Sequence, residues 1–187
     1  MFHSRVVAVF AAFVVGASAG CGASNGGGAE PGDYAKPVCA SLLTWKRGVT
    51  SDSALLSKQL QARSLDVRTV RAKYTAFFRG VVTRTDALLM EIGNAGAPAV
   101  DSGADYARDL RAALAQARAG LAEARARFAA LPADDLRSYA AGAARIRDQL
   151  GQVFVGASAA LGRLGRTYDD KALNTAFEDQ PDCRDLA

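Results

Sequence analysis

The chain has 187 residues, a formal net charge of +4 and a hydrophobic content of 50%. This length predicts one domain, large enough to bury a core of its own. Residues 1–20 contain Arg5, so the remainder carries +3. A charge this small, spread over mixed-sign surfaces, argues against a nucleic-acid-binding protein.

The first twenty residues are typical of a secretory signal. Met1–Arg5 carries positive charge, and the apolar run Val6–Ala17 follows it. That run is too short to span a bilayer, which needs ~20 residues. The small residues Ser18–Gly20 then precede Cys21, as expected of a cleavage site. We therefore expect residues 1–20 to be a signal peptide.

The segment Ser18-Ala19-Gly20-Cys21 resembles the lipobox of bacterial lipoproteins, although the family usually has leucine at the position of Ser18. In that family the cysteine thiol receives a diacylglyceryl group and becomes the N-terminus after cleavage. The resemblance implies a chain with palmitate or similar acyl groups on Cys21, anchored to the outer face of the cell membrane. The alternative is an ordinary signal peptide with Cys21 nearby.

The cysteine count fits the same interpretation. The chain has Cys21, Cys39 and Cys183, and an odd cysteine in an exported protein needs an explanation. Lipidation of Cys21 leaves an even pair. Residues 21–33 are rich in glycine and predict a flexible tether with a typical reach of roughly 20 Å. The folded domain is expected to occupy residues 34–187.

Apolar residues recur every three or four positions through this domain, which predicts an all-α fold. Long helices joined by short loops favour an up-down-up-down four-helix bundle. The helices are expected at about 35–63, 67–94, 102–131 and 135–164, with a short additional helix at 171–177.

Several residues predict helix starts. Asp66 is a candidate N-cap for the second helix, and either Asp134 or Asp135 for the fourth. The pattern Ser102-x-x-Asp105 resembles a capping box at the start of the third helix. The apolar stripe of the fourth helix places the following side chains inward: Leu136, Tyr139, Ala143, Ile146, Leu150, Val153, Ala157 and Leu161.

The remaining cysteines predict a disulfide. An even number of antiparallel helices returns the chain to the end where it began, so Cys39 and Cys183 should meet. An exported protein lies in an oxidising environment, where a disulfide persists. The alternatives are two free thiols or a nucleophilic cysteine, and the latter would lack a base.

The sequence argues against catalysis. The single histidine is His3, inside the signal peptide, so the rest of the chain lacks a Ser-His-Asp triad, a Cys-His pair and histidine metal ligands. The pairs Asp134-Asp135 and Asp169-Asp170 are expected to be caps or loop residues. Asp86 and Glu91 are not close neighbours on one helix face. We expect no enzyme, no metal site and no cofactor.

Small residues are abundant in the fourth helix, in Ala140–Ala144 and again around Gly151 and Gly156. They predict close helix packing. The alternative is that they leave room for a guest molecule in the bundle core.

The domain is similar to small actinobacterial lipoproteins of unknown function. The shared features are the Tyr34-x-x-x-Val38-Cys39 start, Trp45, the Gly96-Ala97-Pro98 break and Cys183 near the end. Arginine greatly outnumbers lysine, a bias typical of genomes rich in G and C. The resemblance implies a class of protein and no activity.

Two functions remain as hypotheses. The first is a non-enzymatic helical module that binds another envelope protein or a cell-wall component, and an exposed apolar patch would favour it. The second is a carrier or sensor for a small apolar ligand or lipid, which a closed cavity would favour. In either case the disulfide end should face the membrane, and the loops near residues 63–66 and 131–135 should point outward.

Overall fold

The structure, a computed structural model, describes residues 28–61 and 65–186. Within these ranges the chain forms six helices: α1 (Pro31–Leu60), α2 (Val67–Asn94), α3 (Gly103–Ala130), α4 (Leu136–Thr167), α5 (Lys171–Asp179) and α6 (Pro181–Arg184). The predicted signal peptide, Cys21, and Arg63 at the expected end of the first helix lie outside the described residues. The predicted positions of α2, α3, α4 and α5 are confirmed to within three residues.

The long helices form an up-down-up-down bundle. Each packs along its sequence neighbour, α1 on α2, α2 on α3 and α3 on α4, whereas α5 and α6 pack on α1. A helix of 28 residues is about 42 Å long at 1.5 Å per residue, which sets the length of the bundle.

Two core clusters lie at opposite ends of the bundle. We call the end that contains the start of α1 the basal end and the opposite end the distal end. The basal cluster includes Tyr34, Val38, Ile92, Tyr106, Leu110, Leu164 and Leu173. The distal cluster includes Phe78, Val81, Val82, Leu121, Phe128 and Ile146. In each cluster, successive helices contribute their N-terminal part and their C-terminal part in turn, because neighbouring helices are antiparallel.

Two predicted caps are confirmed. The Asp66 carboxylate accepts a hydrogen bond from the Thr69 amide at 2.7 Å. The Asp135 carboxylate accepts from the amides of Arg137 and Ser138 at 3.0 and 3.3 Å. Both carboxylates satisfy amide groups that have no partner within the helix.

The predicted capping box at α3 is wrong. Ser102 has a left-handed backbone with φ 58°, and its side chain makes no capping hydrogen bond. Asp105 instead pairs with Arg108 one turn later. The cause lies in the preceding loop, because Gly103 follows so closely on Pro98 that a Cβ at Gly103 would lie 2.0 Å from the Pro98 carbonyl oxygen.

Two further expectations need correction. Leu136 does not point inward, since 68% of its surface is exposed. It is the first residue of α4 and precedes the first core position, Tyr139. The first helix begins at Pro31 rather than Ala35. Residues 28–33 of the predicted tether therefore belong to the folded domain, and proline is well suited to the first turn of a helix.

Candidate functional site

A disulfide joins the two ends of the domain at its base. Cys39 on α1 and Cys183 on α6 are bonded, with Cα atoms 4.9 Å apart, as predicted. Cys39 is completely buried. The bond holds the short C-terminal helices against α1, so these cysteines have a structural role.

Four aromatic rings pack around this base. Tyr34 makes edge contacts with Tyr106 and Phe177, each with ring centroids 6.2 Å apart. Tyr106 in turn meets Tyr168 edge-on at 5.9 Å. Edge-to-face pairs of this kind are favourable beyond the area they bury. The aromatic cluster therefore connects α1, α3, α5 and the end of α4.

The tyrosine hydroxyls of this cluster differ in their partners. Tyr34 is completely buried, and its hydroxyl has no hydrogen-bond partner among the described residues. Burial raises the pKa of Tyr34 to about 12. The Tyr168 hydroxyl donates to the Asp109 carboxylate at 2.7 Å, which lowers the pKa of Asp109. A neutral, enclosed tyrosine has no access to a substrate, so Tyr34 is a packing residue.

The N-terminal segment is fixed to the base by a short strap, residues 28–30. The Ala29 amide donates to the Ala97 carbonyl at 2.8 Å, and the Ala99 amide donates to the Ala29 carbonyl at 2.7 Å. Ala29 and Pro98 thereby form an isolated parallel bridge. A Cβ at Gly28 would lie 2.6 Å from the Ala97 carbonyl oxygen, so the two backbones approach as closely as glycine allows. The chain therefore leaves the domain at the basal end, beside the α2–α3 loop.

The carboxylates named in the sequence analysis occupy structural positions. Asp86 is 2.7 Å from Arg118 Nε and 3.0 Å from its Nη2, and this pairing lowers the pKa of Asp86. Glu91 is exposed. Asp170 caps α5 through the Leu173 amide at 2.9 Å, and Asp169 accepts from the Asn174 amide group. These side chains therefore do not converge on a shared acid–base site.

The buried polar contact in the middle of the bundle is also structural. Trp45 Nε1 donates to Thr85 Oγ1 at 3.0 Å, and the Thr85 hydroxyl donates to the Val81 carbonyl at 2.8 Å. Thr85 is 2% exposed. The pair satisfies both side chains and aligns α1 with α2.

Two grooves lie on the surface of the described domain, and both are open to solvent. One, of about 180 Å³, runs between α3 and α4 and includes Gly120, Ile146 and Val153. The other, of about 470 Å³, lies between the middle of α1 and Asp185, beside Lys46. Neither has the enclosed apolar form expected of a carrier.

The small residues serve close packing at a few positions. A Cβ at Gly120 would lie 2.6 Å from Val153, and one at Gly142 would lie 2.3 Å from Leu131. A Cβ at Gly151 or Gly156 would meet no atom of another element within 4 Å. Many of the remaining small residues of α4 are therefore exposed and enclose no cavity.

Charge is distributed unequally along the bundle. Each long helix is divided at its midpoint, and the strap, the loops and the segment after α4 are counted with the end of the bundle to which they are joined. The described distal half then holds 13 Lys and Arg against 6 Asp and Glu. The described basal half holds 8 against 13. The modest overall charge therefore conceals a basic distal half and an acidic basal half. The total charge does not reveal this separation, because it depends on how the helices are folded together.

Over residues 28–61 and 65–186, no three His, Cys, Asp or Glu side chains are grouped as metal ligands would be. Within the same residues no helix combines the length and apolar character needed to cross a membrane. The chain matches no family model, no curated protein and no solved structure.

Proposed function

We propose that this chain is a lipoprotein, anchored through Cys21 to the outer face of the cell membrane, whose helical bundle acts as a non-enzymatic interaction module in the cell envelope. Its class would be that of the small actinobacterial lipoproteins that the sequence resembles. The lipobox-like segment before Cys21 supports the anchor.

The observation that carries the interaction role is the separation of the two ends. The strap at Ala29 and the Cys39–Cys183 bond both lie at the base, where the chain arrives from Cys21. Six residues lie between Cys21 and Gly28, and a flexible tether of this length would have a typical reach of about 15 Å. A bundle about 42 Å long would then present its distal half away from the membrane.

Cross-linking from matched positions tests this orientation. A photo-reactive residue replaces Ala126 in the distal half of α3 or Ala104 in its basal half, and both alanines are exposed. In intact cells we expect a cross-linked partner from position 126 and none from position 104. Equal yields from both positions would contradict a distal interaction surface.

The carrier hypothesis makes a different prediction. Native mass spectrometry of the full chain purified from membranes should then show a lipid or small apolar molecule bound in addition to the covalent anchor. Such an adduct, together with no cross-linked partner from position 126, would overturn the interaction module. The open form of both surface grooves favours the interaction module.

A further inference from the structure

The antiparallel packing of α2 and α3 places two arginines at opposite positions along the seam between these helices. Arg118 on α3 pairs with Asp86 on α2, and a Cβ at Gly93 on α2 would lie 3.5 Å from the Arg111 guanidinium on α3. These two contacts are one heptad apart and fix the antiparallel register of the helices. One heptad farther towards the distal end, the same register places Arg125 opposite Arg79.

Neither arginine has a counter-ion within the described residues. Arg79 and Arg125 form no ion pair or hydrogen bond there, in contrast to Arg118. Arg68 lies eleven residues before Arg79 on the same outer face of α2, about 16 Å away along the helix axis. We call these three residues, Arg68, Arg79 and Arg125, the arginine seam. Two like charges facing each other without a carboxylate would be stabilised by an anion between them.

The surroundings of the arginine seam offer little besides charge. The neighbouring outer positions are short side chains, Ala72, Ala76, Ala126 and Ala129. The large apolar side chains that are exposed in the described domain are Leu55, Met90, Leu136 and Val155. Met90 lies eleven residues after Arg79 on the same face of α2, about 16 Å away towards the basal end, and the other three lie on α1 and α4. Protein interfaces usually depend on buried aromatic or aliphatic anchors, so this surface is better suited to a flexible charged polymer.

From these observations we infer that the arginine seam binds a linear polyanion that carries phosphate groups. The planar guanidinium fork fits phosphate oxygens in a bidentate manner. The alanine side chains around the arginine seam are short and do not obstruct the surface. An extended polymer can therefore lie along the arginine seam and pass from Arg68 to the Arg79–Arg125 pair. The inference rests on the proposed function for the orientation of the distal half towards the envelope.

A second copy of the chain would be the competing occupant, because its acidic basal half could face the basic distal half. That arrangement requires antiparallel bundles. For two copies anchored in one membrane, one base would have to rise by about 40 Å, the length of a bundle, whereas the tether reaches about 15 Å. The polyanion is therefore the better occupant.

Binding of inorganic polyphosphate to the full chain in detergent, measured by calorimetry at several salt concentrations, tests the inference. The triple variant Arg68→Gln, Arg79→Gln, Arg125→Gln is compared with the basal variant Arg111→Gln, Arg163→Gln, Arg166→Gln, which removes the same charge. We expect the distal variant to bind at least about tenfold more weakly at low salt, with a salt slope smaller by two to three, and the basal variant to change binding less than about twofold.

Several results would overturn the inference. These are no binding to polyphosphate, equal losses in the two variants, and equally tight binding of poly-glutamate, which would remove the preference for phosphate. Salt-sensitive self-association of the wild-type chain that the distal variant abolishes would identify a second copy as the occupant. If the wild-type chain does not bind polyphosphate, the proposed function still stands, because cross-linking from position 126 detects a partner of any chemistry.

Discussion

The Cα atoms of Cys39 and Cys183 lie 4.9 Å apart although 144 positions separate them in the sequence. The bond closes nearly the whole domain into one loop. In the chain-entropy description a loop of this size stabilises the folded state by up to about 5 kcal/mol. We expect the variant Cys39→Ser, Cys183→Ser to unfold at a clearly lower urea concentration.

The control for this prediction is a reductant. Dithiothreitol should lower the unfolding midpoint of the wild type to that of the double variant, and should leave the variant unchanged. Coincident urea curves for oxidised wild type and double variant would show that the disulfide contributes nothing to stability.

Tyr34 is expected to tolerate loss of its hydroxyl. Because this buried group has no hydrogen-bond partner in the described part of the chain, Tyr34→Phe should leave the free energy of unfolding unchanged or raise it by up to about 1 kcal/mol. Tyr168→Phe is the matched control, because it removes the hydrogen bond to Asp109 and should lower the free energy of unfolding. The opposite order of the two variants would contradict the assignment of partners.

The same tyrosine predicts a loss of stability in alkali. Burial raises the pKa of Tyr34 to about 12, above the ordinary value of 10. The folded state therefore holds this proton where the unfolded state releases it, and stability falls as the pH rises from 10 to 12. In chemical denaturation across this range, Tyr34→Phe should show a smaller fall than the wild type. An equal fall would mean that Tyr34 does not contribute.

Acid should destabilise the bundle for the opposite reason. Hydrogen bonds from Arg118 and Tyr168 lower the pKa values of Asp86 and Asp109 respectively. Hydrogen bonds at the helix starts likewise lower the pKa values of the capping residues Asp66 and Asp135. The ionised carboxylates contribute fully to stability above the ordinary carboxyl pKa near 4. These contributions to stability are lost as the pH falls through the lower pKa values of the folded state. The variant Asp86→Asn, Asp109→Asn should lose less stability between pH 5 and pH 2 than the wild type. Parallel profiles would contradict this account.

Two glycines should respond oppositely to alanine. A Cβ at Gly103 would lie 2.0 Å from a backbone oxygen of Pro98, so Gly103→Ala must displace the loop and should cost about 2–3 kcal/mol. Gly151 lies in open space on α4, and Gly151→Ala should stabilise by about 0.5–1 kcal/mol through helix propensity. Thermal unfolding compares them, and a stable Gly103→Ala variant would show that the loop is not tightly packed.

Much of the fold could be predicted because its signals are local. Helical periodicity predicted the bounds of α2 at residues 67–94, where the structure has them, and the carboxylates at Asp66 and Asp135 marked helix starts through short-range hydrogen bonds. The predicted capping box at Ser102 was wrong because a serine before a helix resembles an N-cap, whereas the backbone conformation of Ser102 is set by the loop at Pro98.

The features of the candidate site depend on tertiary structure. The bridge between Ala29 and Pro98 uses backbone atoms alone and leaves no pattern in the sequence. The arginine seam requires the register between α2 and α3, which becomes known only from contacts such as Arg118–Asp86. Neither could be derived from periodicity.

The central claim is that lipid on Cys21 anchors the chain, and fractionation of cells that express Cys21→Ala tests it most directly. We predict that the wild type and the variant Cys39→Ser, Cys183→Ser remain in the membrane fraction, whereas Cys21→Ala is released in soluble form. A Cys21→Ala protein that stays with the membrane would contradict the account.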